Sequence, residues 1–176
     1  HTMSVQYDKR TYTGMDMLRY YLLKTEPFDL NVVWNKIFKL DLFNGVVPVR
    51  FPKGRVQEDN FTILMLFLNA NSIVTVNEPL YYYVQRAGSI MATFTRRFMI
   101  DTIESHIYMS DYLMNHCSSV KNELQLYLLN SYVELSRRVC ANKCKKEYND
   151  LLIQYKHYVL DHTADTSHNP MWKCKQ

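Results

Sequence analysis

The stretch FPKGRVQEDNFTILMLF, residues 51–67, sets two adjacent acids, Glu58 and Asp59, between a basic Gly-containing loop and an apolar run. The run is nearly apolar all round, so the spacing predicts a core helix over Asn60–Leu68. Asp59 then falls at or just before the first turn. There, free N–H groups and the helix dipole favour a carboxylate and keep it ionised. Two roles are open to it: a helix cap, since Asp is a preferred cap residue, or a proton acceptor.

Upstream, TGMDMLRYYLLKTEP reads as a short helix. It opens on a capping-box pattern, Thr13-x-x-Asp16, carries Met15, Leu18 and Leu22 on one face, and closes at Pro27. NVVWNKIFKLDLF is strand or buried helix, a choice periodicity cannot make over so short a window. Downstream, SIVTVNEPLYYYVQR reads as two short strands broken at Glu78-Pro79, with the Tyr81–Tyr83 triplet expected in the core.

From Arg96 onward the pattern is helical. Ile100, Ile103 and Ile107 repeat at helical spacing, as do Leu124, Leu128, Leu135 and Val139, and then Leu151, Leu152, Tyr155 and Val159. The expected class is therefore α+β, predominantly helical, with short strands first and a C-terminal helical bundle. Residues 1–3 read as a cloning remnant, 4–95 as the mixed segment, 96–162 as the helical segment and 163–176 as a loosely held tail.

The four glycines, at 14, 45, 54 and 88, never cluster, which excludes a P-loop and a dinucleotide fingerprint. The net charge of +4 is far from a nucleic-acid-binding signature. Cys117, Cys140, Cys144 and Cys174 form no CxxC pair and read as free thiols of a reducing cytoplasm. Arg137, Arg138, Lys143, Lys145 and Lys146 read as a solvated helix face or as a contact for an anionic membrane surface.

The ordered blocks VVWNKIFKLDLF, RFPKGRVQEDNF and EPLYYYVQRAGSIM resemble the C-terminal, acceptor-side half of bacterial family 2 glycosyltransferases with the GT-A fold, enzymes that build capsules and other surface polysaccharides. The resemblance covers about residues 10–95. It implies an inverting transfer from a nucleotide sugar to a saccharide or lipid-linked acceptor, with Asp59 as catalytic base and Glu58 assisting. It further implies that Arg86, Trp34, Asn35, Lys36 and Ser89 contact the acceptor or the leaving diphosphate. Trp34 has two readings, a ring lining the acceptor site or an ordinary core tryptophan.

The family's nucleotide-binding half, with its Asp-x-Asp ligands for Mn or Mg, has no counterpart here, since no two aspartates stand two residues apart. No metal is therefore expected on this chain, which alone should be inactive. The missing half, and a second copy docking on the surface it leaves bare, are the expected partners, with no nucleic acid. The expected location is cytoplasmic, either free or peripheral to the inner face of the cell membrane. The competing reading is a helical interaction or membrane-surface module without catalytic role, carried by the helices after Arg96.

Overall fold

The computed structural model describes residues 9–25, 29–45, 48–84 and 94–164. The chain is α+β and predominantly helical, with five α-helices and two two-residue strands among these residues. It divides into two units, His1–Thr93 and Phe94–Gln176.

In the first unit, β1 (Thr11–Tyr12) pairs antiparallel with β2 (Ile73–Val74), in the register Thr11 opposite Val74 and Tyr12 opposite Ile73. Helix α1 (Gly14–Leu23) follows β1 at once because Thr13 stops the strand and caps the helix. Its Oγ1 accepts from Asp16 N at 3.1 Å, and the Asp16 carboxylate accepts from Thr13 N at 2.9 Å. Leu18 and Leu22 are buried as expected, joined by Met17 and Tyr21, while Met15 is only half-buried. Lys24, in the left-handed region at φ 52°, ends the helix; Pro27 lies outside the described residues.

Helix α2 (Ile63–Asn69) is the centre of this unit. Ile63, Leu64, Met65, Leu66 and Phe67 are buried in succession, which a helix achieves only when other chain covers every side of it. Burying each such side chain contributes about 1.5–3 kcal/mol. Gly14 lets α1 start directly on the end of α2. Its N–H donates to Ala70 O at 3.2 Å, and a Cβ there would stand 1.8 Å from Phe67 O. A 3₁₀ turn, Leu40–Asn44, is tied to the same end by Asn69 Nδ2 donating to Leu42 O at 2.9 Å.

Two segments differ from the sequence expectation. Residues 32–38 are neither strand nor helix but a turn at Trp34–Asn35, and Ile37 is 97% exposed. The polar links described below close this turn in place of apolar burial. After β2, residues 77–84 run without strand pairing, and the tyrosine triplet is on the surface rather than in the core. Only two residues of β1 face β2, so no further ladder holds this segment against a core.

The second unit is built from α3 (Arg96–His116), α4 (Lys121–Ala141) and α5 (Lys145–Thr163). Thr95 caps α3, accepting from Phe98 N at 3.1 Å. Leu124, Leu128, Leu135 and Val139 of α4 are all buried, as are Leu152, Tyr155 and Val159 of α5, whereas Leu151 is half-buried. On α3 the buried face is rotated from the isoleucine stripe. Ile103 is buried, but Ile100 and Ile107 are half-exposed while Asp101, Thr102, Ser105, His106 and Ser110 point inward.

That polar stripe is tolerated because Asp101, Thr102, Ser105 and His106 find partners, while Ser110 Oγ is buried with no hydrogen-bond partner among the described residues. Thr102 Oγ1 donates to Phe98 O at 2.7 Å, Ser105 Oγ to Thr102 O at 2.7 Å, and Asp101 takes the Arg97 guanidinium at 2.9 Å. Ser131 Oγ donates to Leu128 O at 2.8 Å and stands 2.6 Å from Tyr155 Oη. Tyr155 Oη in turn stands 3.0 Å from His106 Nδ1. With the serine proton committed to the carbonyl, Tyr155 donates to Ser131 and accepts from His106. The chain of bonds thus assigns the His106 proton to Nδ1.

No helix among the described residues is long and apolar enough to cross a membrane. The tail 165–176 lies outside the described residues.

Candidate functional site in the first unit

The Glu58-Asp59 pair lies in a 3₁₀ turn, Glu58–Phe61, that precedes α2. Gln57 enters it in the left-handed region at φ 61°. Thr62, fully buried, fixes the turn to the helix: its Oγ1 donates to Glu58 O and Asp59 O, each at 3.2 Å. Asn60 Nδ2 donates to Gln57 Oε1 at 2.8 Å and closes the turn from the other side.

Asp59 is therefore not the cap of α2. The residue at that position is Thr62, and the expected ionising effect of the helix terminus is outweighed by another force. Half-burial raises the Asp59 carboxyl above its ordinary range, and the Glu58 charge adds to the rise; the Asn60 N–H, 3.1 Å from Asp59 Oδ1, opposes both. A carboxylate shifted this way is a stronger proton acceptor once ionised. Beside it, Asn60 Oδ1 is buried with no hydrogen-bond partner among the described residues.

Lys36 sits in the interior of the 29–36 loop. Its Nζ donates to Val32 O at 2.6 Å, Asn35 Oδ1 at 2.7 Å and Asp29 O at 3.1 Å, which uses all three ammonium hydrogens. Asn35 Nδ2 also donates to Asp29 O at 3.1 Å, and Lys36 N to Val33 O at 3.2 Å. Burial brings the Lys36 ammonium down to about 8, opposed by the charges of Asp29 and Asp59. The WNK block is thus a clasp that folds a turn around its own lysine, with the acid turn within electrostatic reach. Lys36 and Asn35, expected from sequence at the acceptor or the leaving diphosphate, make these hydrogen bonds within their own loop.

The turn presents Trp34. Its ring stacks on Tyr81 with centroids 4.9 Å apart and 29° between planes, and meets Tyr83 at 5.0 Å and 36°. Trp34 is 39% exposed, Tyr81 52% and Tyr83 48%, so the rings cluster at the surface and the ordinary core reading of Trp34 fails. Tyr82, on the other face of the extended segment, is 90% exposed. Arg86 and Ser89, together with Gln85 of the same loop, lie outside the described residues.

Comparison with known proteins adds an independent line. Glycosyltransferase GlyA of Streptococcus pneumoniae is 23% identical over 129 residues, which make 72% of this chain and 18% of that protein. Glycosyltransferase GlyG of the same organism is 43% identical over 58 residues, 33% of this chain and 18% of that protein. The chain is glycosyltransferase-related. The aligned part spans 18% of the length of each of these relatives. No protein-family model and no solved structure matches the chain.

In this glycosyltransferase-related chain, no three His, Cys, Asp or Glu side chains among the described residues are placed to hold a metal ion. Cys117, Cys140 and Cys144 form no disulfide with one another. The basic stretch considered for membrane contact is partly committed: Arg137 pairs with Glu134 at 3.0 Å, and the Arg138 guanidinium lies over the Phe98 ring at 4.8 Å. Sequence reading expected Tyr81 and Tyr83 in the core and missed that they meet Trp34 at the surface. Their signal was the period-two alternation within the triplet, which already placed them on one face.

Proposed function

We propose that this chain is the acceptor-side part of an inverting family 2 glycosyltransferase of the GT-A class, acting in surface polysaccharide synthesis. Asp59 takes the proton from the attacking acceptor hydroxyl while a nucleoside diphosphate leaves the sugar carbon. Glu58 raises the basicity of its neighbour, and the Lys36 clasp shapes the loop that carries Trp34. Binding of the nucleotide sugar, and of the Mn or Mg of the complete enzyme, falls to chain outside this segment. Arg86 and Ser89 are proposed as contacts to the acceptor or leaving diphosphate.

The observation that carries the reading is the Asp59 carboxylate, half-buried in a turn that Thr62 and Asn60 hold rigid, and more basic than an ordinary aspartate. It is tested in a polypeptide that joins this segment to a nucleotide-sugar-binding half. Asp59→Asn should lower turnover by about 10²–10⁴-fold and leave donor binding unchanged. An asparagine variant that transfers sugar at the wild-type rate refutes the base assignment.

A further inference from the structure

We infer that the end of the second unit where α3 and α5 begin and α4 closes is a docking surface for an anionic lipid bilayer. The inference concerns the helical unit alone and stands apart from the role of Asp59.

The fold gathers at this end cations that lie far apart in sequence. Arg96, the first residue of α3, donates to Glu147 O at 2.6 Å and pairs with Asp150, both in the first turns of α5. Arg138, in the last turn of α4, lies over the Phe94 and Phe98 rings at 5.3 and 4.8 Å, at the start of α3. Arg97, Arg137, Lys143, Lys145 and Lys146 share the same end by their positions on these helices. Seven cations thus stand against four acids, Asp101, Glu134, Glu147 and Asp150. The opposite end reverses the balance, with Lys121 and Lys156 against Asp111, Glu123 and Asp161. The unit is electrically polar, and only one end attracts anions.

The cations are also placed against helix preference. α3 opens on Arg96-Arg97 with no acid in its first turn, and α5 opens on Lys145-Lys146 before a single acid, Glu147. The positive end of each helix dipole disfavours a cation there. Two such pairs cost stability that packing does not require.

The third observation separates a surface from a pocket. Three of the four arginines are engaged by carboxylates: Arg96 with Asp150, Arg97 with Asp101 at 2.9 Å and Arg137 with Glu134 at 3.0 Å. Arg138 lies over its rings. The ammonium groups left exposed and unpaired among the described residues are those of Lys143, Lys145 and Lys146. Lysines are point charges on flexible stems and suit a diffuse anionic surface, whereas planar recognition of a single phosphate favours a free guanidinium fork. Phe98 and Tyr148 are buried and Phe94 lies beneath Arg138, so these rings offer no face to a nucleic-acid base.

The test sediments the whole 176-residue chain with vesicles of equimolar phosphatidylglycerol and phosphatidylcholine, and with vesicles of phosphatidylcholine alone. Binding is expected on the anionic vesicles only and should weaken steeply as salt shortens the reach of the charges. Each free lysine strengthens such a contact by about fivefold, so Lys143→Gln, Lys145→Gln and Lys146→Gln together should weaken it about 100-fold. Lys121→Gln with Lys156→Gln, at the opposite end, should leave it unchanged. The triple variant should melt no lower than wild type, because it relieves the helix dipole and removes no contact. Should it fold poorly, Lys146→Gln alone, expected to cost about fivefold, gives the same reading.

The inference is overturned if no vesicle binds, if neutral vesicles bind equally well, or if the triple variant binds as wild type does. Displacement by inorganic phosphate at constant ionic strength, which reports a site for one phosphate group, overturns it equally. So does duplex DNA that binds more tightly than the anionic vesicles.

Discussion

The Lys36 ammonium donates to the Val32 carbonyl at 2.6 Å, closing a turn whose outermost side chain is Trp34. The clasp places a cation inside a loop that could otherwise be held only by apolar contacts it does not have. Because burial brings Lys36 down to about 8, the folded protein binds fewer protons than the unfolded chain between that value and the ordinary lysine range. The Lys36 contribution to stability should therefore rise with pH across this window. A pH titration of the Lys36 Nζ resonance should show a midpoint near 8; a midpoint at the ordinary lysine value contradicts the clasp.

Asp59 gives the opposite sign. Its carboxyl is raised in the fold, so the native state holds the proton more tightly than the unfolded chain, and stability falls as pH rises through the raised value. Asp59→Asn should accordingly raise the melting temperature at pH 7. The gain should disappear below about pH 3.9, where the unfolded carboxyl is also protonated. An asparagine variant less stable than wild type at neutral pH contradicts the desolvation argument.

Gly14 has a packing role that its helical position hides. A methyl group there would meet Phe67 O at 1.8 Å and Ala70 O at 2.5 Å, both backbone atoms that cannot rotate aside. Gly14→Ala should destabilise the protein by about 1–3 kcal/mol, the usual cost of overpacking, despite the better helix propensity of alanine. Urea unfolding of the two proteins measures the difference.

The Ser131–Tyr155–His106 chain of bonds sets a prediction for the second unit. Tyr155→Phe removes the hydroxyl that links Ser131 Oγ to His106 Nδ1, at a cost of about 1–3 kcal/mol. Nitrogen NMR of wild type should show the His106 proton on Nδ1. A neutral imidazole with its proton on Nε2 contradicts the directional assignment.

Much of the helical framework was legible because its determinants are local. Thr13 and Asp16 form a capping box at a spacing any helix start imposes, and the α4 stripe follows the 3.6-residue period. The α3 face was misread because its inward side is polar, and that burial is acceptable only through the partners its groups find, Arg97 one turn back on the same helix for Asp101 and Tyr155 of α5 for His106. The Trp34 turn escaped for a related reason. β-branched and aromatic residues signal a strand or a core, but the Lys36 hydrogen bonds that bend this segment join groups up to seven residues apart.

At the site, residue type pointed to Asp59, but its electrostatic state was read with the wrong sign. Sequence offered a helix terminus as the dominant influence. The structure inserts a 3₁₀ turn ahead of α2 and lets burial prevail. How strongly a carboxylate is desolvated depends on chain brought in from elsewhere, which no spacing reveals.

The most direct test compares two titrations. One is the carbon NMR titration of the Asp59 carboxyl in this chain; the other is the acid limb of kcat/KM in an enzyme that carries the segment beside a nucleotide-sugar-binding half. The proposal predicts that both midpoints lie above the ordinary aspartate value of about 3.9 and that the acid limb vanishes in Asp59→Asn along with most of the turnover. An acid limb that persists unchanged in that variant would contradict it.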